Sequence, residues 1–396
     1  IYHDGAGNDN NKFTDNTFNN VLGLEGRSLK DTLSTTFPEE ISSGVYMFDS
    51  YNYSRAVSAN DTLVIEPGVI IKMGYKVGDL NNRQRSQYND FNVENGLLIA
   101  KGTAEKPIIF TSWRDDSAGG DTDALDDTVS AKRYDWDNLS LNLSNKDNHN
   151  TEESVLEHVE LRYGGDALYL SMNNATFTHP ISNVKVHNAY LTGILLDYGR
   201  YTIANSEVIN SERYDGIQAR YENTDLTVRN SVIRGNGRYG ISADGPSGAF
   251  IREVSNSIIE NNGAEGIYNH NSPSPATIQN NKVRGNGQAG MYFNIKREVD
   301  TDTVLTISGN LFENNAGPGF ITSRAIVVDD TLRGNQFPFG ITGQISKKGT
   351  VNELGNYYEG NVIEANTYDS LITIEGAIFG VLGDNVPSGY NNKLYV

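Results

Sequence analysis

An all-β solenoid is the fold class this sequence predicts, and three observations predict it. A twelve-residue phrase recurs as "NSVIRGNGRYGI" at 230–241, "NSIIENNGAEGI" at 256–267 and "NNKVRGNGQAGM" at 280–291. Anchored on its last Gly, the phrase extends to Gly193, Gly216, Gly240, Gly266, Gly290 and Gly319, at intervals of 23, 24, 26, 24 and 29 residues. Such a period belongs either to leucine-rich repeats or to β-solenoids. These units carry Val, Ile and Asn where leucine-rich repeats carry Leu, and they show no helical periodicity. Stacked strands are therefore the expectation.

Two columns supply the core of each coil. The residue after the anchoring Gly is Ile194, Ile217, Ile241, Ile267, Met291 or Phe320, and the residue seven before it is Val186, Ile209, Ile233, Ile259, Val283 or Phe312. In a solenoid each column becomes a stack of side chains at the strand spacing of about 4.8 Å. Four residues before the Gly stand Asn236, Asn262, Asn286 and Asn315. Asn at one turn of successive coils can hydrogen-bond to its copies above and below, so this column reads as a turn ladder rather than a row of ligand-binding amides. Gly237, Gly263 and Gly287 beside it are expected to serve a positive-φ turn. Arg234, Glu260, Arg284 and Glu313 alternate in sign along an exposed row, which favours neighbouring coils modestly.

The N-terminal third is less regular. "DTLVIEPGVIIKM" (61–73), "GLLIAKGTAEKPIIFTS" (96–112), "DWDNLSL" (135–141) and "LEHVELRYGG" (156–165) are β-rich segments joined by turns with Gly and Pro. Together they resemble the opening module of right-handed parallel β-helix proteins, the pectate-lyase-like solenoids of bacterial and archaeal surfaces and secretions. In that family a strand ending in Pro-Gly leads to a "G-x-L-x-A-x-G-T…P-I-x-F-T-S" coil and then to Asn-rich coils. The resemblance covers roughly residues 57–335 and implies a right-handed parallel β-helix with less regular N- and C-terminal caps. It implies an extracellular or cell-surface location, and it leaves the chemistry open, since one scaffold carries many functions.

Three segments follow. Residues 1–56 are expected to form an N-terminal cap, with room for one short helix in "NTFNNVLGLEGRSLKDTLSTTF". Residues 57–335 form the β-helix. Residues 336–396, where the period is lost, read as a further coil, a cap or an assembly segment. An apolar end that met the start of a second copy would give an end-to-end filament.

Composition narrows the partners. With 50 acidic and 32 basic side chains the chain carries a formal charge of −18, which repels nucleic acid unless a basic face is segregated, and no long basic run exists. There is no Cys, hence no disulfide framework or thiolate metal site. No apolar stretch reaches membrane-spanning length. Many Tyr, Asn and Asp side chains suit a polysaccharide or cell-surface glycan partner; Tyr198, Tyr201, Tyr214, Tyr221, Tyr239, Tyr268 and Tyr292 recur through the coils.

The densest carboxylate cluster, "RDDSAGGDTDALDD" at 114–127, carries Asp115, Asp116, Asp121, Asp123, Asp126 and Asp127. Six carboxylates so close together require either solvent or a cation, and Ca²⁺ accepts flexible oxygen-rich loops. The spacing is not that of an EF-hand, so a solvated loop and a calcium site are both open. A catalytic set is incomplete. "NTD" at 223–225 lacks the Gly-His-Gly and Arg-Ile-Lys that accompany it in pectin hydrolases. Arg213, Arg220, Arg238, Arg252, Lys282 and Arg297, the possible lyase bases, fall at different repeat positions. His187 and His270 lie near turns. The leading expectation is a non-catalytic adhesion or structural (matrix or filament) protein; the alternative is a uronate lyase or glycoside hydrolase.

Overall fold

A computed structural model describes residues 62–73, 90–121, 130–143, 153–243, 248–272, 274, 276–295 and 305–322, together with shorter strands outside these ranges. Among the described residues there is no α-helix. Most strands follow one another in threes, and most pair in parallel with the strand one coil later. The chain forms two compact units, residues 1–213 and 214–396.

In the first unit one coil is Phe91–Glu94, Leu97–Lys101 and Ile108–Ser112. The next is Leu139–Asn142, Val155–Glu157 and Val159–Arg162, and the third is Leu168–Thr176, Ile181–Ser182 and Lys185–His187. Side chains alternate between interior and surface along strands such as Phe91–Glu94 and Val159–Arg162. Register then stacks Ile71, Phe110, Leu161, Val186 and Val208 in one column, each no more than 1% exposed. A second column runs Phe91, Leu139, Leu168, Ile194, and Phe91 meets Phe110 edge-on at 5.3 Å. Parallel pairing reaches back into the segment expected as a cap: Leu22–Glu25 pairs with Val45–Asp49, and Ser34–Phe37 with Thr62–Ile65. The remaining residues of the expected short helix lie outside the described ones.

The second unit repeats the pattern more regularly. Ile217, Ile241, Ile267, Met291 and Phe320 stack, as do Ile233, Ile259, Val283 and Phe312. Parallel pairing passes residue 335: Phe337–Ile341, Val351–Leu354 and Tyr357–Glu359 make one more coil, and Ser370–Ile374 with Ala377–Val381 closes as an antiparallel hairpin.

Three details differ from the sequence reading. The buried residue in the first-unit column is Val208, paired with Val186, while Ile209 is only half-buried. The turn from 209 to Gly216 holds one residue more than its counterparts, so counting back from the Gly misplaces the column by one. Left-handed backbone falls on the residue before each ladder Asn, at Gly235, Asn261, Gly285 and Asn314, and not on the ladder Asn or on Gly263 and Gly287. Those glycines are required by close approach instead, since a Cβ on Gly263 would collide with the carbonyl of Gly237, and one on Gly287 with that of Gly263.

The Asn ladder itself is as expected. Asn236 Nδ2 donates to Asn262 Oδ1 at 2.9 Å, Asn262 to Asn286 at 3.0 Å and Asn286 to Asn315 at 2.9 Å. The backbone N–H of each donor residue joins the same oxygen. All four side chains are buried, so the ladder is structural. A second ladder runs beside it through Ser231, Ser257, Asn281 and Asn310. The exposed row also forms as read, with Arg284 Nε 2.7 Å from Glu260.

Candidate functional site

The acidic segment folds back on the first unit. Asp115 is 4% exposed and its carboxylate accepts hydrogen bonds from Thr111 Oγ1 at 2.6 Å, Ser117 Oγ at 2.5 Å and Arg162 Nη1 at 3.2 Å. Burial pushes its pKa up, but the Ser117 and Thr111 hydroxyls and the Arg162 charge outweigh that and hold it below the usual carboxylate range. Within the same segment the Gly120 carbonyl accepts from the fully buried ammonium of Lys72 at 2.5 Å. Two cations, the half-buried Arg162 and the fully buried Lys72, thus lie against this stretch. Asp116 and Asp121 are exposed; Asp123, Asp126 and Asp127 lie outside the described residues. Among the described residues no three His, Cys, Asp or Glu side chains converge as a metal cluster.

Arg162 starts a polar row across neighbouring strands. Its Nε donates to Glu160 at 2.9 Å, and Glu160 and Glu207 lie 3.9 and 3.8 Å from the two ring nitrogens of His187. Desolvation lowers the pKa of His187 despite both glutamates. The sequence reading singled out His187 as a turn residue and did not see its two carboxylate neighbours.

One residue beyond this row the strands end in left-handed turns at Tyr163 (φ 65°) and Asn188 (φ 58°). These turns line an open cleft of about 390 Å³ together with Ala131, Lys132, Arg133, Tyr190 and Glu212. Its far wall comes from residues 130–138, an insertion without a counterpart in the repeat, which is tied down by Asp135. That carboxylate accepts from Ser112 Oγ at 2.6 Å and from Arg114 Nη1 at 2.8 Å. Tyr134 stacks on Tyr190 at 5.3 Å with the planes 15° apart. Arg213 lies over the Tyr190 ring at 4.6 Å, and Arg133 pairs with Glu212 at 2.9 Å. Lys132, Arg133 and Arg213 against Glu212 leave the cleft locally basic, and Tyr163 and Tyr190 add aromatic side chains with polar hydroxyls to its lining.

The other residues that the sequence pointed to are engaged elsewhere. Tyr201 is buried, with its hydroxyl on the carbonyls of Asp197 and Leu170. Arg238 forms a two-pronged pair with Asp215 at 2.7 and 3.0 Å, and Arg252 bonds Asp225 of the "NTD" tripeptide at 2.7 Å. Tyr239, Tyr268 and Tyr292 stack face to face at 4.4 and 5.2 Å, with His270 6.1 Å from Tyr292. A closed stack presents ring edges rather than faces. Arg220 lies over Tyr221, and Arg297 lies outside the described residues. Lys132, Arg133, Tyr134, Tyr163 and Tyr190 were not singled out by sequence; the only local signal was an insertion that interrupts the coil spacing.

Residues 144–338 match the family model described as a right handed beta helix region. This chain is a right-handed parallel β-helix. Among solved structures, the β-helix is similar to the periplasmic alginate epimerase AlgG, at 10% identity over 87% of this chain and 79% of that one, with a TM-score of 0.50. It is also similar to the Azotobacter vinelandii mannuronan C-5 epimerase AlgE6 A-module, at 17% identity over 90% and 89% of the two chains with a TM-score of 0.43. Pectate lyase Pel9A follows at 13% identity over 76% and 69%, with a TM-score of 0.35. At these identities the likeness concerns the fold. No curated protein matches this chain in sequence.

Proposed function

We propose that this β-helix is an extracellular polysaccharide-binding protein with an adhesion or structural role, and that an acidic glycan lies in the cleft between residues 130–134 and the turns at Tyr163 and Asn188. The cleft carries this reading. Three cations and stacked tyrosines gather there on a chain whose formal charge is −18. Net charge of that size repels a polyanion at long range, so local concentration of Lys132, Arg133 and Arg213 serves short-range recognition. Guanidinium groups match carboxylates with two parallel hydrogen bonds, and tyrosines that line the cleft offer a sugar apolar ring edges beside a hydrogen-bonding hydroxyl. A fold shared with an alginate epimerase supports the same ligand class.

The row beside the cleft favours a second reading, a polysaccharide lyase or hydrolase. Arg162 and His187 each precede a cleft residue, and both contact Glu160. Affinity electrophoresis through gels containing alginate, pectate or neutral dextran tests the binding. Retardation is expected in the first two and not in dextran, and Arg133→Ala with Tyr190→Ala should abolish it. Equal migration in all gels would contradict the proposal. New unsaturated or reducing ends in the recovered polymer would establish the second reading.

A further inference from the structure

A different group of oxygens in the first unit lacks donors. Asp90 and Asn138 stand side by side on neighbouring coils: Phe91 pairs with Leu139 and Asn92 with Ser140, and Phe91 N–H donates to the Asn138 carbonyl at 2.8 Å. The carboxyl groups of Asp90 and Asp137 hydrogen-bond to one another. On these two paired strands the oxygens Asp90 Oδ1, Asn92 Oδ1 and Asn138 Oδ1 are buried and meet no donor. A proton shared by the two carboxyls leaves the two amide oxygens still unmet. Buried acceptors are almost always satisfied, and each exception requires an explanation.

The surroundings add to the case. Asp166 on the next coil brings further negative charge to Asp137. Gly165 has no side chain where a Cβ would meet Asp137 Oδ1 and would stand 2.6 Å from the Tyr134 ring. The Asp137 carbonyl is fixed by Gly165 N–H at 2.7 Å. The set is thus two carboxylates and two neutral amides, all hard oxygen ligands, held by paired backbones on adjacent coils. These four residues are separate from the acidic segment at 114–127. Carboxylate and amide oxygens in a flexible arrangement suit calcium, which takes six to eight oxygens and tolerates irregular geometry, better than the strict octahedron of magnesium.

We propose that Asp90, Asn92, Asp137 and Asn138 bind one calcium ion that clamps two neighbouring coils at the base of the 130–138 insertion. Trp136 is fully buried next to Asp137, with its Nε1 on the Arg162 carbonyl at 2.7 Å, so it serves as an antenna for a lanthanide placed there. The test titrates the full-length chain with CaCl₂ by calorimetry and with TbCl₃ by Trp-excited luminescence. One calcium is expected to bind and to quench terbium emission in competition. Asp137→Asn, isosteric and relieved of carboxylate repulsion, should weaken binding at least tenfold, and so should Asn92→Ala, which leaves the carboxyl pair in place. Replacing Asp121, Asp123, Asp126 and Asp127 together by Asn should change it less than twofold. No calcium uptake by the wild-type chain overturns the proposal. So does uptake that survives both site variants while each keeps the wild-type circular dichroism, or uptake lost only in the acidic-segment variant.

Discussion

Replacing Asn262 with Ala removes one rung from the middle of the amide ladder. Its Oδ1 accepts from the backbone N–H of Asn236 at 3.1 Å and from Asn236 Nδ2 at 2.9 Å, while its own Nδ2 donates to Asn286 at 3.0 Å and to the Ile233 carbonyl at 3.4 Å. After truncation the backbone N–H of Asn236 loses its ladder acceptor inside a buried turn. One orphaned buried donor is worth about 1–3 kcal/mol, and the weakened amide contacts on either side add to it, so a loss of about 3 kcal/mol is expected. Asn262→Asp keeps the acceptor but turns a second oxygen toward Asn286 Oδ1 and Ile233 O, and it should lose as much or more. The comparison is Glu260→Ala on the same coil, which removes an exposed pair with Arg284 and should change stability by less than about 1 kcal/mol. Urea unfolding followed by circular dichroism measures all three. An Asn262→Ala chain no less stable than Glu260→Ala would refute the view that the ladder holds these coils together.

Two further outcomes are expected. Gly263→Ala places a methyl group against the Gly237 carbonyl and should destabilise by about 2 kcal/mol or more, measured as a lowered urea midpoint; an unchanged midpoint would show that the coils move apart freely there. Burial, then the negative charges of Asp90 and Asp166, raise Asp137 to about 8, and burial raises Asp90 to about 6 although its hydrogen bond with Asp137 lowers it, against about 3.9 in an unfolded chain. The folded state therefore holds a proton more tightly, and the contribution present at low pH is lost as pH rises through about 6 to about 8. In chelator, the wild-type melting temperature should fall between pH 5 and 9 relative to Asp137→Asn; parallel curves for the two chains would contradict it.

Much of the scaffold was legible because a solenoid converts sequence period directly into spatial stacking. Ile259, Asn262 and Ile267 could each be assigned from spacing alone. The assignment failed where spacing changed locally: one extra residue before Gly216 exchanged Val208 for Ile209. It also failed where composition was ambiguous, since the second ladder begins with Ser231 and Ser257 and becomes amide only at Asn281. Gly263 was placed at the right turn for the wrong reason, because a sequence does not distinguish a glycine needed for φ from one needed for contact. The candidate site was nearly illegible. Lys132, Arg133 and Tyr134 belong to an insertion with no repeat partner, and Tyr163, Asn188 and Tyr190 have ordinary neighbours in sequence; only folding places them round one cleft. The acidic run at 114–127 drew attention by charge density, yet its first carboxylate is occupied by Arg162, which lies 47 residues away.

Hydrogen exchange of the full-length chain with and without an oligouronate tests the central claim most directly. Protection should concentrate in peptides covering 131–134, 163, 188–190 and 212–213, and should disappear in Arg133→Ala with Tyr190→Ala. Protection confined to other coils, or none at saturating oligouronate, would contradict the assignment of this cleft as the glycan site.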